Sequence, residues 1–163
     1  MNPFKPAFKA SAVVVQPRSA TPSLMQRAYG AGLADGDACI QIIKQEVPGR
    51  GNPSYRLRFD MTQNDFGTLE NFVHCVGVPV TIRTVKRDAS QNRQVWRLSY
   101  DGPQAYAVIR VLEHYLVRKR AEARVARVFV EEGRMGLHPG RGGTPDHYWK
   151  LREACFRKLR KLR

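Results

Sequence analysis

The sequence predicts an α+β fold in which helices cover one face of an antiparallel sheet. Residues 38–46 and 54–62 alternate between apolar and polar side chains on either side of a turn rich in proline and glycine, which is typical of a β-hairpin. A second pair of alternating segments, 78–86 and 91–100, flanks a short polar turn. Apolar residues at helical spacing precede, separate and follow the two hairpins, so the predicted order is helix, hairpin, helix, hairpin, helix.

The first helix is predicted to begin at Thr21-Pro22, because a hydroxyl side chain can cap a helix and proline fits its first turn. It extends to Leu33 and ends at Asp35-Gly36-Asp37. Its second half is rich in small residues: Gly30, Ala31, Gly32 and Ala34. Glycine within a helix costs about 1 kcal/mol relative to alanine. We therefore expect a second helix to approach this face closely enough to compensate.

The second strand of the first hairpin shows the clearest alternation in the chain. Its apolar set, predicted to face the core, is Tyr55, Leu57, Phe59 and Met61. The outward set is Arg56, Arg58, Asp60 and Thr62. A helix is predicted over residues 64–76 with Gly77 as its cap, and another over residues 104–116. Thr144-Pro145 opens a final helix with a strongly basic end, which suits DNA phosphates better than an anionic membrane.

The charge balance indicates a polyanionic partner. The chain has 28 Lys and Arg against 14 Asp and Glu, a formal net charge of +14. Apolar runs fall short of the roughly 18 residues that a membrane span needs, so we expect a soluble protein. Three cysteines without paired spacing are typical of reduced thiols. This favours an intracellular location, in a bacterial or phage-host cytoplasm, or in an organelle or nucleus if the protein is eukaryotic.

Composition divides the chain into three segments. Residues 1–21 contain basic but no acidic residues and fit three readings: a basic arm that follows DNA, a transit peptide, or a structural extension carrying the apolar run 12–15. An arm or extension is favoured, because arginines are few and no amphipathic helix is evident. Residues 22–132 form the predicted core. Residues 133–163 contain a glycine-rich loop and the basic helix.

Residues 29–40 resemble the motif of the LAGLIDADG homing endonucleases, in which two such helices pack together at a subunit or domain interface. Ala31 and Gly32 stand where the family has its Ala-Gly pair, and Asp37 matches the family's metal-binding aspartate. Glycine replaces the usual leucine, and alanine replaces the glycine that commonly follows the aspartate, at Gly30 and Ala38 respectively. The resemblance covers about residues 22–132. It implies an αββαββα saddle, with one antiparallel sheet backed by helices and extra C-terminal helices here.

The resemblance also implies an active site. Asp37 and the backbone carbonyl of Gly36 are expected to bind Mg²⁺, with two or more ions per dimer. Mn²⁺ is expected to substitute, and Ca²⁺ to support binding without cleavage. Gln63 stands where the family has a polar residue that orders metal or water. Lys119 aligns with the family's active-site lysine, although a shift in alignment would give that role to Arg118 or Arg120, and a solvated lysine is the plainer alternative.

Double-stranded DNA is the expected partner of the uncovered sheet face. Arginine and glutamine match the edges of guanine and adenine in the major groove, although a solvated polar face is common in antiparallel sheets. The expected DNA-contacting residues are Gln41, Ile43, Gln45, Arg56, Arg58, Asp60, Arg83, Arg93 and Arg97. The expected dimer interface is Gly30, Ala31, Gly32 and Ala34.

The function expected from the resemblance is site-specific cleavage of DNA by a homodimer. Each chain has a single motif, so two copies are needed to cut both strands of a long, pseudo-palindromic target and leave short 3′ overhangs. No membrane and no small-molecule substrate are expected. Two alternatives remain: a non-cleaving protein of the same fold, such as an intron maturase or a repressor, and a basic RNA-binding structural protein.

Overall fold

The computed structural model describes residues 11–49, 51–85, 94–136 and 143–163. Within these ranges the chain forms five strands and five helices. In chain order they are β1 (Ala12–Val15), α1 (Leu24–Asp37), β2 (Ala38–Gln45), β3 (Ser54–Gln63), α2 (Phe66–Val76), β4 (Val80–Thr84), β5 (Trp96–Asp101), α3 (Gly102–Leu112), α4 (Arg120–Glu131) and α5 (Asp146–Lys161). None of the helices in these ranges is long and apolar enough to cross a membrane.

The strands form one antiparallel sheet in the order β1-β4-β5-β3-β2. Both predicted hairpins contribute to it, and the predicted α+β arrangement is confirmed. Residues 12–15 belong to the segment interpreted from the sequence as a basic arm, a transit peptide or a structural extension. They form the edge strand β1 and pair with β4. Residues 1–10 of the predicted arm and the turn of the second hairpin lie outside the described residues.

The core lies between the inner face of the sheet and helices α2 and α3. The predicted apolar set of β3 is buried: Tyr55, Leu57, Phe59 and Met61. Phe59 stacks on Phe72 of α2 with ring centroids 5.6 Å apart, and Tyr100 of β5 donates a hydrogen bond to the carbonyl of Val78 at 2.8 Å. Because every second residue of the strands packs into this core, the residues between them face the opposite side of the sheet, called the outer face below.

Helix α1 begins and ends later than the sequence predicted. Its N-cap is Ser23, whose hydroxyl accepts a hydrogen bond from the Gln26 amide at 3.2 Å. The Gln26 side chain accepts one from the Ser23 amide at 2.8 Å, which completes a capping box. The predicted start at Thr21-Pro22 is therefore wrong. The helix also continues through Asp37, and β2 begins at the next residue without a loop.

The last helix is joined to the core. Helix α5 packs against α4 and beside β2. Its buried Arg152 donates hydrogen bonds to the carbonyls of Gly133 at 2.9 Å and Arg134 at 3.1 Å. The hydroxyl of Tyr55 on β3 donates to the carboxylate of Glu153. The three cysteine thiols are free, with Cys75 and Cys155 buried.

Candidate functional site

The outer face of the sheet carries most of the side chains predicted to contact DNA. The alternation of burial along each strand and the strand register place them together: Gln41, Ile43 and Gln45 on β2, Arg56, Arg58 and Asp60 on β3, Arg83 on β4 and Arg97 on β5. Arg93 lies outside the described residues. A groove of about 740 Å³ follows the β4 and β5 side of this face, with Arg58, Arg83 and Arg97 in its lining.

Asp60 differs from the other predicted DNA contacts because it is only 4% exposed. Its Oδ2 accepts hydrogen bonds from Nε2 of Gln41 at 2.7 Å and from Nη2 of Arg97 at 2.9 Å. Its Oδ1 accepts one from the hydroxyl of Ser99. The carboxylate therefore faces three neighbouring side chains rather than an approaching duplex, and its assignment as a direct DNA contact is corrected.

A second carboxylate on the outer face holds two arginines. Asp101, at the end of β5, accepts hydrogen bonds from Nε and Nη2 of Arg58 at 2.8 and 3.1 Å, and Nε of Arg56 lies 3.3 Å away. The hydrogen bonds from Arg58 and its positive charge keep the pKa of Asp101 below its usual value. The two outer-face carboxylates therefore already have cationic partners from within the chain.

The carboxylate at the end of α1 is in a different environment. Asp37 is exposed, and one of its oxygens accepts a hydrogen bond of 2.5 Å from Nε2 of Gln63, the last residue of β3. Within the described part of the chain it makes no ion pair. The structure thus brings Asp37 and Gln63 together, as the resemblance implied. Gly36 is in the last turn of α1, where carbonyl oxygens lack a partner within the helix.

Asp35 joins α1 to the segment that carries Lys119. Its carboxylate accepts hydrogen bonds from the backbone amides of Val117 at 2.7 Å, Arg118 at 3.2 Å and Lys119 at 2.9 Å. Burial raises the pKa of Asp35, but these hydrogen bonds together outweigh it and leave the pKa below its ordinary value. Lys119 is only 8% exposed. It therefore lies beside the last turn of α1 rather than in solvent.

Three of the four small residues predicted at a dimer interface are buried within the single chain. Ala31 and Ala34 have no exposed surface. A Cβ atom at Gly30 would lie 3.0 Å from Cβ of Cys75 on α2 and 3.4 Å from Leu112 on α3. The close helix packing predicted from these residues is thus intramolecular, and the interface assignment is corrected for all three. Gly32 is exposed, and a Cβ there would have no atom within 4 Å.

The exposed side of α1 is apolar and without a partner in the described chain. Met25 is 83% exposed and Tyr29 is 54% exposed, and both fall on the same side of the helix as Gly32 and Gly36. Val117, 78% exposed, follows α3 and is joined to α1 through Asp35. The helical spacing of residues 25, 29, 32 and 36 is the sequence signal for this face, whereas three of the four small residues of the predicted interface lie on the opposite side.

The basic end of α5 lies at the β2 edge of the outer face. Nη2 of Arg163 lies 2.9 Å from Sγ of Cys39, and Nη1 lies 3.3 Å from Oε1 of Gln41. Lys158 and Lys161 are exposed near the same end of the helix. Positive charge therefore continues from the sheet face around its edge. Within the described residues, His, Cys, Asp and Glu form no group of three that could hold a metal ion.

The fold is that of solved homing endonucleases. No protein-family model matches the chain, and no curated protein sequence matches it significantly. The chain is similar to the homing endonuclease I-CvuI in complex with its target in the presence of Ca, with a TM-score of 0.66, 17% identity and coverage of 85% of this chain and 82% of that one. The archaeal intron-encoded homing endonuclease I-Vdi141I, complexed with DNA, gives a TM-score of 0.67, 14% identity and coverages of 85% and 84%.

A third structure, the homing endonuclease I-TnaI, gives a TM-score of 0.52 at 16% identity and covers 84% of this chain and 97% of that chain. At these low identities the likeness establishes the fold. The predicted LAGLIDADG-type α+β fold is confirmed, and function has to be argued from the residues that this fold brings together.

Proposed function

We propose that the protein is a homodimeric, metal-dependent endonuclease that recognises a long, pseudo-palindromic DNA target. The observation that carries the proposal is the position of Asp37. It is a carboxylate without a cationic partner in the described chain, beside Gln63, where a basic sheet face meets the exposed side of α1. A carboxylate without a cationic partner can bind a metal cation here, and that cation can also contact a DNA phosphate.

The outer face supports binding to duplex DNA. The chain has a net charge of +14, and arginines from β3, β4 and β5 share one face of a single sheet. Of the solved proteins of the same fold, I-CvuI is in complex with its target and I-Vdi141I is complexed with DNA. Gln41, Gln45, Ile43 and the arginines supply hydrogen-bonding and apolar groups for base edges, while α5 supplies cations for phosphates.

The residues at the end of α1 fit a hard divalent cation. Carboxylate and backbone carbonyl oxygens are ligands that Mg²⁺ prefers, and Asp37 and Gly36 offer one of each. When bound, such an ion lowers the pKa of a water molecule and neutralises charge on a leaving oxygen. Mn²⁺ is expected to replace Mg²⁺, and Ca²⁺ to support binding without cleavage. One related structure contains Ca and another contains Mg with DNA not cleaved.

Gln63 and Lys119 have supporting roles in the proposed cleavage site. Gln63 orients the Asp37 carboxylate through its 2.5 Å hydrogen bond. Lys119, whose backbone amide is bound to Asp35 in the last turn of α1, would add positive charge near the phosphate that is cut. The backbone of Gln63 is fixed at the end of β3, and that of Lys119 by its hydrogen bond to Asp35.

A homodimer follows from the number of carboxylates. Each chain provides one Asp37, and two strands must be cut. Packing of the apolar exposed sides of two α1 helices, through Met25, Tyr29, Gly32 and Gly36, brings both copies of Asp37 toward the dyad. The absence of side chains at the two glycines lets helix backbones approach closely. Gly32 is thus retained from the predicted interface, and the rest of the interface is revised.

The decisive test is selection of cleavable duplexes from a randomised library in Mg²⁺, with Ca²⁺ as the non-cleaving control. We expect one pseudo-palindromic target, cut on both strands with short 3′ overhangs. Specific binding without cleavage in Mg²⁺ or Mn²⁺ would favour the repressor or maturase alternative. Stronger binding to RNA than to every selected duplex would contradict the proposal.

Base reading and phosphate contact can be separated by mutation. Alanine at Arg56 or Arg83 is expected to cost about 1–3 kcal/mol on the selected target and to relax preference at one symmetric pair of positions. Neutralising Lys158 and Lys161 should weaken selected and scrambled duplexes alike and reduce the salt slope by about 0.9 per lost phosphate contact. Titrations of both duplexes at several salt concentrations check this. Equal losses on the two duplexes for the sheet arginines would mean that the outer face does not read bases.

A further inference from the structure

We propose that Asp60 sets the base preference of the outer face without contacting DNA, by fixing which atoms of Gln41 and Arg97 are presented to the duplex. The inference rests on the proposed function and assigns a specificity role within it. Asp60 is the central residue of this arrangement. Gln41 on β2 and Arg97 on β5 lie on either side of β3, and both donate to the same oxygen, Oδ2 of Asp60.

The chemistry of a carboxylate fixes the orientation of the Gln41 amide. An ionised carboxylate only accepts hydrogen bonds, so Gln41 must turn its NH₂ group toward Asp60. Its carbonyl oxygen then points away from Asp60. The 3.3 Å contact of Oε1 with Nη1 of Arg163 agrees with that direction, since a guanidinium donates and a carbonyl accepts.

This orientation limits the bases that Gln41 can read. A carbonyl oxygen has two lone pairs, so Oε1 of Gln41 can accept from N6 of adenine or N4 of cytosine beside its contact with Arg163, and the second N–H of the amide remains for N7 of adenine. Guanine and thymine present acceptors at the corresponding major-groove positions and would meet the carbonyl unfavourably. We therefore expect adenine first, and cytosine second, at the base pair nearest Gln41.

The same carboxylate also holds Arg97, which presents hydrogen-bond donors where Gln41 presents an acceptor. One N–H of its guanidinium bonds to Asp60, which leaves four donors, and the side chain is 45% exposed. A guanidinium presented in this way suits O6 and N7 of guanine. The hydroxyl of Ser99 occupies the other oxygen of Asp60, so the carboxylate cannot rotate to release either neighbour without losing hydrogen bonds. An acceptor and a donor are thus set side by side before DNA arrives.

The test compares base preference in three variants, using duplexes randomised at each position of the selected target. Gln41→Leu identifies the symmetric pair of positions that Gln41 reads. Asp60→Asn should relax the same pair from about tenfold discrimination toward none, because an asparagine carbonyl and amide allow Gln41 to adopt both orientations. Asp101→Asn is the matched control. It removes the same charge from the same face, but Asp101 is bound to Arg58 and Arg56 rather than to Gln41 and Arg97. Preference should change only at positions that Arg56 or Arg58 reads, and not at the Gln41 pair, although Arg58 lies opposite Gln41 in the sheet.

A second measurement needs no DNA. In the NMR spectrum of the wild-type protein, the Gln41 side-chain amide protons should show nuclear Overhauser contacts to Asp60, and their resonances should shift in Asp60→Asn but not in Asp101→Asn. Absence of those contacts would overturn the proposal, even if Asp60→Asn failed to fold. Unchanged preference at the Gln41 pair in a folded Asp60→Asn protein would also overturn it while leaving the proposed function intact. A wild type without any site preference would instead remove the proposed function and this inference together.

Discussion

Both sides of helix α1 contain small residues in its second half, for different reasons. On the inner side, Gly30, Ala31 and Ala34 are buried, and α2 and α3 approach so closely that a Cβ at Gly30 would lie 3.0 Å from Cys75. On the outer side, a Cβ at Gly32 would meet nothing within 4 Å. The inner residues are small because the chain's own fold requires it. No contact in the described chain explains the outer ones, and in the proposed homodimer they would face the second copy.

The two motif carboxylates fall on opposite sides of the same helix turn. Asp35 and Asp37 are two residues apart, which is about 200° around a helix. Asp35 meets three backbone amides that occupy its oxygens, whereas Asp37 meets only Gln63 within the described residues. Identical side chains therefore have different environments: backbone amides bind both oxygens of Asp35, whereas Asp37 accepts one side-chain hydrogen bond and is exposed.

The largest effect is expected from Asp37→Asn. The variant keeps the shape of the side chain but removes the negative charge, so cleavage of the selected target in Mg²⁺ should fall by at least about 100-fold, the range found when one preorganised electrostatic group is lost. Binding to that target in Ca²⁺ should be largely retained, which gel-shift titration would measure. Wild-type cleavage rates in the variant would remove Asp37 from the site.

The next effect concerns the inner side of α1. Gly30→Leu should destabilise the folded chain by about 1–3 kcal/mol or more, because the added side chain must displace Cys75 and Leu112. Denaturant unfolding followed by circular dichroism would measure the free energy of unfolding. An unchanged midpoint would show that the inner side is not tightly packed.

The matched change on the outer side is Gly32→Leu. Leucine at an exposed helix position favours the helix over glycine by up to about 1 kcal/mol, so the isolated chain should be no less stable. Self-association should nevertheless weaken by one to two orders of magnitude, about what 1–3 kcal/mol of overpacking produces. Sedimentation velocity over a range of concentrations would measure it. A wild type that is monomeric on its target would refute the dimer.

The smallest effect is expected from Asp35→Asn, which weakens the hydrogen bonds to residues 117–119 and should cost about 1 kcal/mol, as for loss of a helix cap. Because the pKa of Asp35 is below its ordinary value of 3.8 in the folded protein, its stabilising contribution is present above that pH. It is lost as the pH falls through the lowered pKa. The difference in unfolding free energy between wild type and variant should therefore shrink below about pH 3.8. A pH-independent difference would contradict this account.

Local patterns in the sequence were sufficient for the order of the elements. Alternation along β3 and helical spacing in α2 and α3 depend on neighbours a few residues away, so they can be read directly from the chain. The pairing of Asp37 with Gln63 came from the motif resemblance, and the structure contains it. The start of α1 was missed because two hydroxyl residues, Thr21 and Ser23, compete for the cap, and the capping box with Gln26 favours the second.

The sequence by itself determined the α+β class, the polar face of the sheet and the basic charge, since each follows from local order or composition. Only the tertiary structure decided which side of α1 is buried, because helical spacing shows that a helix has two sides but not which one meets α2 and α3. It likewise decided that Asp60 faces Gln41 and Arg97. Those contacts join residues 19 and 37 positions apart, and the register of three strands, rather than any local pattern, sets them.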